Sequence, residues 1–138
     1  GFYKHAAAIK AIAFCPNIPN GIATGGGTKD RHIMVWNYET GSVIAQKDVC
    51  AQITSLHYLP NDNELITSRA GGIHALVSSS LPSLADTGTF NGHRGRIIST
   101  ALSPDKQVIA SISSDEKVLL WSLTPESSNL LSPLNKLR

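Results

Sequence analysis

Several features are scarce in this sequence, and each scarcity excludes a class of protein. Two cysteines are too few for a disulfide scaffold, and Cys15 and Cys50 lack metal-ligand spacing, so we expect a reducing compartment. No apolar run approaches the roughly 18 residues of a membrane span. A formal net charge of +2 is too small to favour nucleic acid or a membrane surface as the partner. The five histidines show no paired ligand spacing, so we expect neither a metal nor another cofactor.

The sequence does contain an internal repeat. Pro16, Pro60 and Pro104 are spaced by 44 residues, and each ends a run of apolar and small side chains. A second apolar run follows each proline, and the first and third copies then place an aspartate six residues before a tryptophan. Three copies of a unit of this length are typical of repeat architectures, whose blades or arms each form one supersecondary unit.

Each unit reads as four short strands separated by turn residues. In the first unit the predicted strands are 9–14, 21–24, 33–36 and 42–45, and no window of helical length keeps a 3.6-residue period. Four strands in 40 to 45 residues are typical of a propeller blade. The sequence therefore predicts an all-β fold.

A polar quartet recurs in the first and third units. An aspartate can hold an imidazole, the imidazole a hydroxyl, and the hydroxyl an indole N–H, so the quartet predicts a buried structural network. A serine or threonine with histidine and aspartate also suggests a hydrolase, but its recurrence at the repeat period favours architecture. The middle unit has Val49 at the histidine position and no tryptophan near Val77, so we expect packing alone to hold it. The two quartets are His5, Thr24, Asp30 and Trp36, and His93, Ser111, Asp115 and Trp121.

One segment is far more specific than a generic repeat. Residues 23–37 read Ala-Thr-Gly-Gly-Gly-Thr-Lys-Asp-Arg-His-Ile-Met-Val-Trp-Asn, and residues 92–99 read Gly-His-Arg-Gly-Arg-Ile-Ile-Ser. With these motifs the chain resembles the Fizzy and Fizzy-related (CDC20/CDH1-type) WD-repeat co-activators of the anaphase-promoting complex, a ubiquitin ligase. The resemblance covers residues 5–122. It implies a WD40 β-propeller with three C-terminal blades of an expected seven, followed by a flexible tail.

The same resemblance suggests a division of the chain. We expect an outer strand of a preceding blade at 1–4, a blade at 5–48, a degenerate blade at 49–92, a last blade lacking its outer strand at 93–123, and a docking tail at 124–138. The chain starts without methionine, so we expect it to be the C-terminal portion of a longer protein. Residues 68–74 depart from the family's Gly-His-Gly pattern, which suggests a divergent member such as a meiosis-specific one.

The resemblance implies a non-enzymatic receptor for the Lys-Glu-Asn degron, the KEN box, at Thr28, Gln52 and Arg96. Arg96 offers a planar donor fork to a glutamate carboxylate. Gln52 has a donor and an acceptor for an asparagine amide or a peptide backbone, and Thr28 adds a hydroxyl. The expected ligands are degron-bearing substrates such as cyclins and securin. The family's other degron, the destruction box, is expected to bind as well, but no residue here is assigned to it.

The terminal Leu137 and Arg138 resemble the Ile-Arg terminus by which such co-activators dock on a tetratricopeptide-repeat subunit of the ligase, a recognised mode of capturing chain ends. The resemblance implies a nuclear and cytoplasmic location. Two other interpretations remain: a generic WD-repeat scaffold of another complex, and the hydrolase described above.

Overall fold

The fold is that of a computed structural model, which describes residues 4–123 in full and the backbone of residues 130–133. These residues form β-strands and turns without a helix, so the predicted all-β fold is confirmed. No helix among them could cross a membrane. The strands form three antiparallel four-stranded sheets.

Each of the three sheets is a simple meander, in which every strand pairs with the next along the chain. The first sheet consists of β1 (Ile9–Cys15), β2 (Gly21–Gly26), β3 (His32–Asn37) and β4 (Val43–Asp48). The second consists of β5 (Gln52–Leu59), β6 (Glu64–Ala70), β7 (Ala75–Ser80) and β8 (Asp86–Asn91). The third consists of β9 (Ile97–Leu102), β10 (Val108–Ser113), β11 (Val118–Ser122) and β12 (Leu130–Pro133).

Turn chemistry sets the strand ends. Asn20 and Asn63 adopt left-handed backbone angles (φ 54° and 49°) just before β2 and β6, a conformation that asparagine tolerates better than most residues. Gly41 (φ 72°) occupies the same region in the turn before β4. These turns place the strands of the first sheet within three residues of their predicted bounds.

The sheets stack face to face along the chain, with the first strands β1, β5 and β9 side by side. The core between the first and second sheets contains the fully buried Val35, Ile53 and Leu65. The core between the second and third contains Ile66, Ile109 and Trp121. Burial of apolar side chains between successive sheets is therefore the main force that joins the three units.

The third sheet corrects one expectation. We expected the unit at 93–123 to lack its outer strand, but β12 pairs with β11 in antiparallel register, with Leu119 opposite Pro133 and Trp121 opposite Leu130. A run of four residues is too short to be recognised as a strand from the sequence. Their backbone covers the otherwise unpaired edge of β11, which is how sheets protect edge strands.

The two ends of the stack leave apolar side chains in solvent. Ile12 and Phe14 of β1 are 62% and 68% exposed, and Ile98 and Ile112 of the third sheet are also exposed. An apolar sheet face is normally buried against another layer. The apolar side chains at both ends of the stack are therefore available for packing against another layer.

Candidate functional site

The candidate site lies at one edge of the stack, at the ends of the strands. The rim is here defined as the edge at which β1, β5 and β9 begin. Residues 8, 52 and 96 mark it at intervals of 44 residues. The Gly27 N–H donates to the carbonyl oxygen of Ala8 at 2.9 Å, Gln52 pairs with Ala70, and the carbonyl oxygen of Arg96 accepts from the Ser114 N–H at 3.0 Å.

The three residues predicted to bind the KEN degron all lie at this rim, one on each sheet. Thr28 is exposed in the turn that follows the Gly27 hydrogen bond, and Arg96 is exposed directly before β9. Gln52 begins β5 and is 8% exposed. Within the described part of the chain, no hydrogen bond or ion pair engages the side chain of any of the three. Their polar groups are therefore available to a ligand.

The rim is rich in exposed cations. Lys29, Arg94 and Arg96 are exposed, and none of them forms an ion pair with another described residue. Arg31 is the exception, since its guanidinium lies 3.5 Å from the Asp48 carboxylate. Unpaired surface cations attract acidic ligands and raise their rate of encounter.

Sequence reasoning missed a fourth rim element, the loop between β6 and β7. This loop lies beside Gln52 because Gln52 pairs with Ala70, the last residue of β6. Gly71 and Gly72 have φ of 103° and 127°, which only glycine adopts readily. Ile73 is 45% exposed, and the Nδ1 atom of His74 is buried without a hydrogen-bond partner. The Gly-Gly pair was the available signal for this loop.

The first predicted quartet forms a continuous chain of hydrogen bonds. His5 Nδ1 lies 2.6 Å from Asp30 Oδ2, and its Nε2 lies 2.7 Å from Thr24 Oγ1. The Trp36 indole N–H donates to Thr24 Oγ1 at 2.8 Å. With the imidazole proton on Nδ1, the threonine hydroxyl donates to His5 and accepts from Trp36, so every buried polar member has a partner.

The second quartet repeats this arrangement in the third sheet. His93 Nδ1 lies 3.0 Å from Asp115 Oδ2, and its Nε2 lies 2.8 Å from Ser111 Oγ. The Trp121 indole N–H donates to Ser111 Oγ at 2.8 Å. The aspartate also accepts the backbone N–H of Arg94 at 2.8 Å, so this network fixes the rim segment that leads to Arg96.

Both aspartates are held in their charged form. Burial alone would raise the pKa of Asp115, but hydrogen bonds from the Arg94 N–H, His93 and the Lys117 N–H outweigh burial and lower the pKa to about 2. The pKa of Asp30 is lowered in the same way: the Ala6 N–H, His5 and the His32 N–H outweigh the effect of burial. These carboxylates are therefore anchors for the turns at the rim.

The geometry argues against a hydrolase. Thr24 and Ser111 are 5% and 0% exposed, and each hydroxyl already accepts an indole N–H. A nucleophile must reach a substrate carbonyl and have its oxygen free to attack. Neither hydroxyl meets this requirement, so the quartets act as structural networks. No group of side chains in the described residues could hold a metal ion.

The second sheet contains a polar network that the sequence did not predict. The Arg69 guanidinium, in a residue 4% exposed, donates to both carboxylate oxygens of Asp86 at 3.1 and 2.9 Å. Its Nε–H donates to Thr67 Oγ1 at 3.1 Å, and Ser79 Oγ donates to Asp86 Oδ1 at 2.9 Å. The expectation that packing alone holds this sheet is therefore wrong.

The same network ties two sheets together. Lys47 of β4 donates from Nζ to the carbonyl oxygen of Leu84 at 2.9 Å and to Asp86 Oδ1 at 3.2 Å. Burial raises the pKa of Asp86, but the hydrogen bonds from Arg69 and Ser79 and the positive charge of Arg69 outweigh burial and lower the pKa to about 2. Asp86 thus stays ionised between two cations.

Two parts of the predicted site lie outside the described residues. The docking residues Leu137 and Arg138 fall in the segment 134–138, and most of the predicted preceding strand falls in 1–3.

Comparisons with known proteins give consistent results. The family model described as WD domain, G-beta repeat (WD40) matches residues 1–37 and 85–122. The chain is 34% identical over 130 residues to Protein FIZZY-RELATED 2 of Arabidopsis thaliana, with 93% of the chain and 27% of that protein covered. It is 36% identical over 135 residues to the anaphase-promoting complex subunit cdc20 of Dictyostelium discoideum, with 98% and 27% covered.

A solved structure agrees with this pattern. A chain in a crystal structure of the mitotic checkpoint complex matches with a TM-score of 0.83 and 34% sequence identity, over 87% of this chain and 37% of that one. The chain thus spans about a quarter of the length of the curated relatives FIZZY-RELATED 2 and cdc20, each covered to 27%.

Proposed function

Since the chain belongs to the WD40 family of WD-domain, G-beta repeats, we propose that it serves substrate recognition as a co-activator of the anaphase-promoting complex, a ubiquitin ligase. The observation that carries this proposal is similarity over nearly the whole chain to proteins named as subunits of that complex, including cdc20 at 36% and cdh1 at 35% identity. In this function the protein binds and positions other proteins and catalyses no reaction itself.

The rim is the proposed receptor for the KEN degron. Arg96 binds the degron glutamate through two parallel N–H···O bonds, the geometry that guanidinium and carboxylate share. Gln52 binds the asparagine amide or the peptide backbone, and Thr28 contributes its hydroxyl. The absence of protein partners for these three side chains within the described residues supports this role. The exposed cations beside them favour an acidic peptide.

The mechanism is proximity. The rim holds the degron, and the terminal Leu137 and Arg138 dock on a tetratricopeptide-repeat subunit of the ligase. Holding both at once raises the effective concentration of substrate lysines near the ubiquitin donor. We propose degron-bearing proteins such as cyclins and securin as substrates, with destruction boxes also bound, and the nucleus and cytoplasm as the location.

A binding measurement on the full chain tests the receptor. A fluorescent peptide containing Lys-Glu-Asn should bind at least about tenfold more weakly to Arg96→Ala, because a charged hydrogen-bonded pair is lost. Arg94→Ala is the matched control: it removes the same charge from an exposed rim arginine two residues away, and should change affinity less than about threefold. Equal affinity of the parent and Arg96→Ala would exclude this receptor and favour the generic WD-repeat scaffold.

Co-purification tests the docking tail. Deleting Leu137 and Arg138 should abolish recovery of the protein with the ligase, while Lys136→Ala should leave it intact. Unchanged recovery after the deletion would refute the tail's role without affecting the degron receptor.

A further inference from the structure

A cleft opens at the edge of the stack opposite the rim, between the second and third sheets. Its volume is about 540 Å³, within the range of natural ligand sites. Leu59 and Glu64, which pair at the turn between β5 and β6, lie on one side, and Ser122 and Leu123 at the end of β11 lie on the other. All of its described lining residues come from these two sheets and the turns that join their strands.

The floor of the cleft is apolar and closely packed. Ile66 and Leu59 are 1% and 7% exposed, and Phe90 and Leu123 pack on the same core. Phe90 contacts Trp121 edge to face, with ring centroids 5.9 Å apart. A rigid apolar floor can bury part of an aliphatic side chain at little entropic cost to the protein.

One wall of the cleft is acidic. Asp62 is exposed, and within the described part of the chain its carboxylate has no ion pair or hydrogen bond. Glu64 accepts a hydrogen bond from Thr87 Oγ1 at 2.8 Å and likewise has no described cationic partner. Lys106 lines a smaller adjoining cavity with Asp62 but forms no ion pair with it. Among the described residues, the cleft therefore presents two carboxylates without an ion-pair partner above an apolar floor.

We propose that this cleft binds a peptide segment of a partner protein in which a lysine or arginine adjoins a leucine-like side chain. The cationic group pairs with Asp62 and Glu64, while the aliphatic group packs on the partly exposed side chains of Phe90 and Leu123. The carboxylates would repel the phosphates of a nucleic acid or an anionic membrane. This site lies at the opposite edge from the proposed degron receptor, so either proposal can be refuted without affecting the other.

A labelled peptide, Gly-Lys-Leu-Leu-Lys-Gly amide, serves as the probe in fluorescence anisotropy with the full chain. Asp62→Asn and Glu64→Gln should each weaken binding about threefold, as expected for partly exposed ion pairs. Glu39→Gln is the matched control, because it removes an equal charge from a turn outside the cleft and should leave affinity unchanged. Lys106→Gln should tighten binding by up to about twofold.

Probe variants separate specific docking from general charge attraction. Replacing both leucines by serine, or both lysines by glutamate, should each weaken binding at least about fivefold, since a buried apolar contact or both ion pairs are lost. The proposal is overturned if the parent probe fails to bind at millimolar concentration, if Asp62→Asn and Glu39→Gln behave alike, or if the serine probe binds as well as the parent. Arg96→Ala should leave this binding unchanged.

Discussion

The middle sheet and the two flanking sheets use different side chains to donate a hydrogen bond to an equivalent buried hydroxyl. In each sheet one hydroxyl stands at an equivalent position on the second strand: Thr24 in the first, Thr67 in the second and Ser111 in the third. In the flanking sheets this hydroxyl accepts an indole N–H, and in the middle sheet it accepts the Nε–H of Arg69. The hydroxyl acceptor is common to all three sheets, and the donor differs.

The strand registers make the equivalence explicit. Trp36 pairs with Ile22, which stands two residues before Thr24. In the middle sheet Leu65 stands two residues before Thr67, and its partner is Ser79. A serine leaves the volume of an indole unfilled, and the Arg69 side chain lies in this region with its guanidinium bonded to Ser79 and Asp86. In all three sheets this buried hydroxyl therefore accepts a hydrogen bond, which a tryptophan indole donates in two of them and the Arg69 guanidinium in the third.

The largest predicted effect distinguishes the two kinds of sheet by stability. Trp121→Ala should lower the free energy of unfolding by about 3–5 kcal/mol, because it leaves a large cavity in the core. Arg69→Met should cost less, about 2 kcal/mol, because Asp86 is 40% exposed and keeps its contacts with Lys47 and Ser79. Urea unfolding followed by circular dichroism measures both. Equal costs, or a larger cost for Arg69→Met, would contradict the comparison.

A side-chain exchange tests whether Arg69 takes the space of an indole. Ser79→Trp alone should destabilise the protein by about 1–3 kcal/mol through overpacking. Adding Arg69→Gly to this variant should recover at least about 1 kcal/mol, since the two substitutions are coupled through one volume. Arg69→Gly alone is the control. Strictly additive costs would show that the two side chains do not share this space.

The smallest predicted effect concerns acid. The pKa of Asp86 is about 2 in the folded protein and lies near 3.8 when unfolded, so the unfolded chain binds a proton more readily. Its stabilising contribution is complete above about pH 4 and is lost as the pH falls towards 2. Arg69→Met raises the folded pKa, so urea midpoints measured at pH 5, 4 and 3 should fall less steeply than in the parent. Asp30 and Asp115 contribute the same pH dependence of the urea midpoint in both proteins. If the midpoint depends on pH identically in the parent and in Arg69→Met, Arg69 does not lower the pKa of Asp86.

Much of this fold could be predicted because the local sequence patterns that specify its strands recur along the chain. The 44-residue spacing, the turn residues and the alternation of apolar side chains place the first sheet's strands within three residues of their observed bounds. The spacing of His5, Asp30 and Trp36 likewise indicated which side chains could meet. Because a similar set of residues recurs in the third unit, a contact between residues far apart in the sequence could be inferred from the repeat.

The remaining features had no such regularity. Arg69 and Asp86 are 17 residues apart and occur once, so only the folded register reveals their pairing. β12 comprises four residues, the last of them a proline, a signal too weak to distinguish from a turn. The cleft beside Asp62 arises from the way two sheets meet, which no single segment encodes. The rim positions of Thr28, Gln52 and Arg96 followed from the family resemblance, because these three residues belong to no local pattern that would predict a shared ligand.

In the first sheet, Gly26 restricts the order of the substitutions that would replace the tryptophan arrangement by the arginine arrangement. It stands two residues after Thr24, as Arg69 stands two after Thr67, and a Cβ there would lie 1.8 Å from the Asp30 carboxylate. A side chain at position 26 is therefore tolerable only after Asp30 has been lost, whereas Asp30 can be lost while the glycine remains. In the first sheet, a mutational path from the tryptophan arrangement to the arginine arrangement must therefore remove the acid before the glycine is replaced. The third sheet is free of this order, because Ser113 stands two residues after Ser111 while Asp115 is retained.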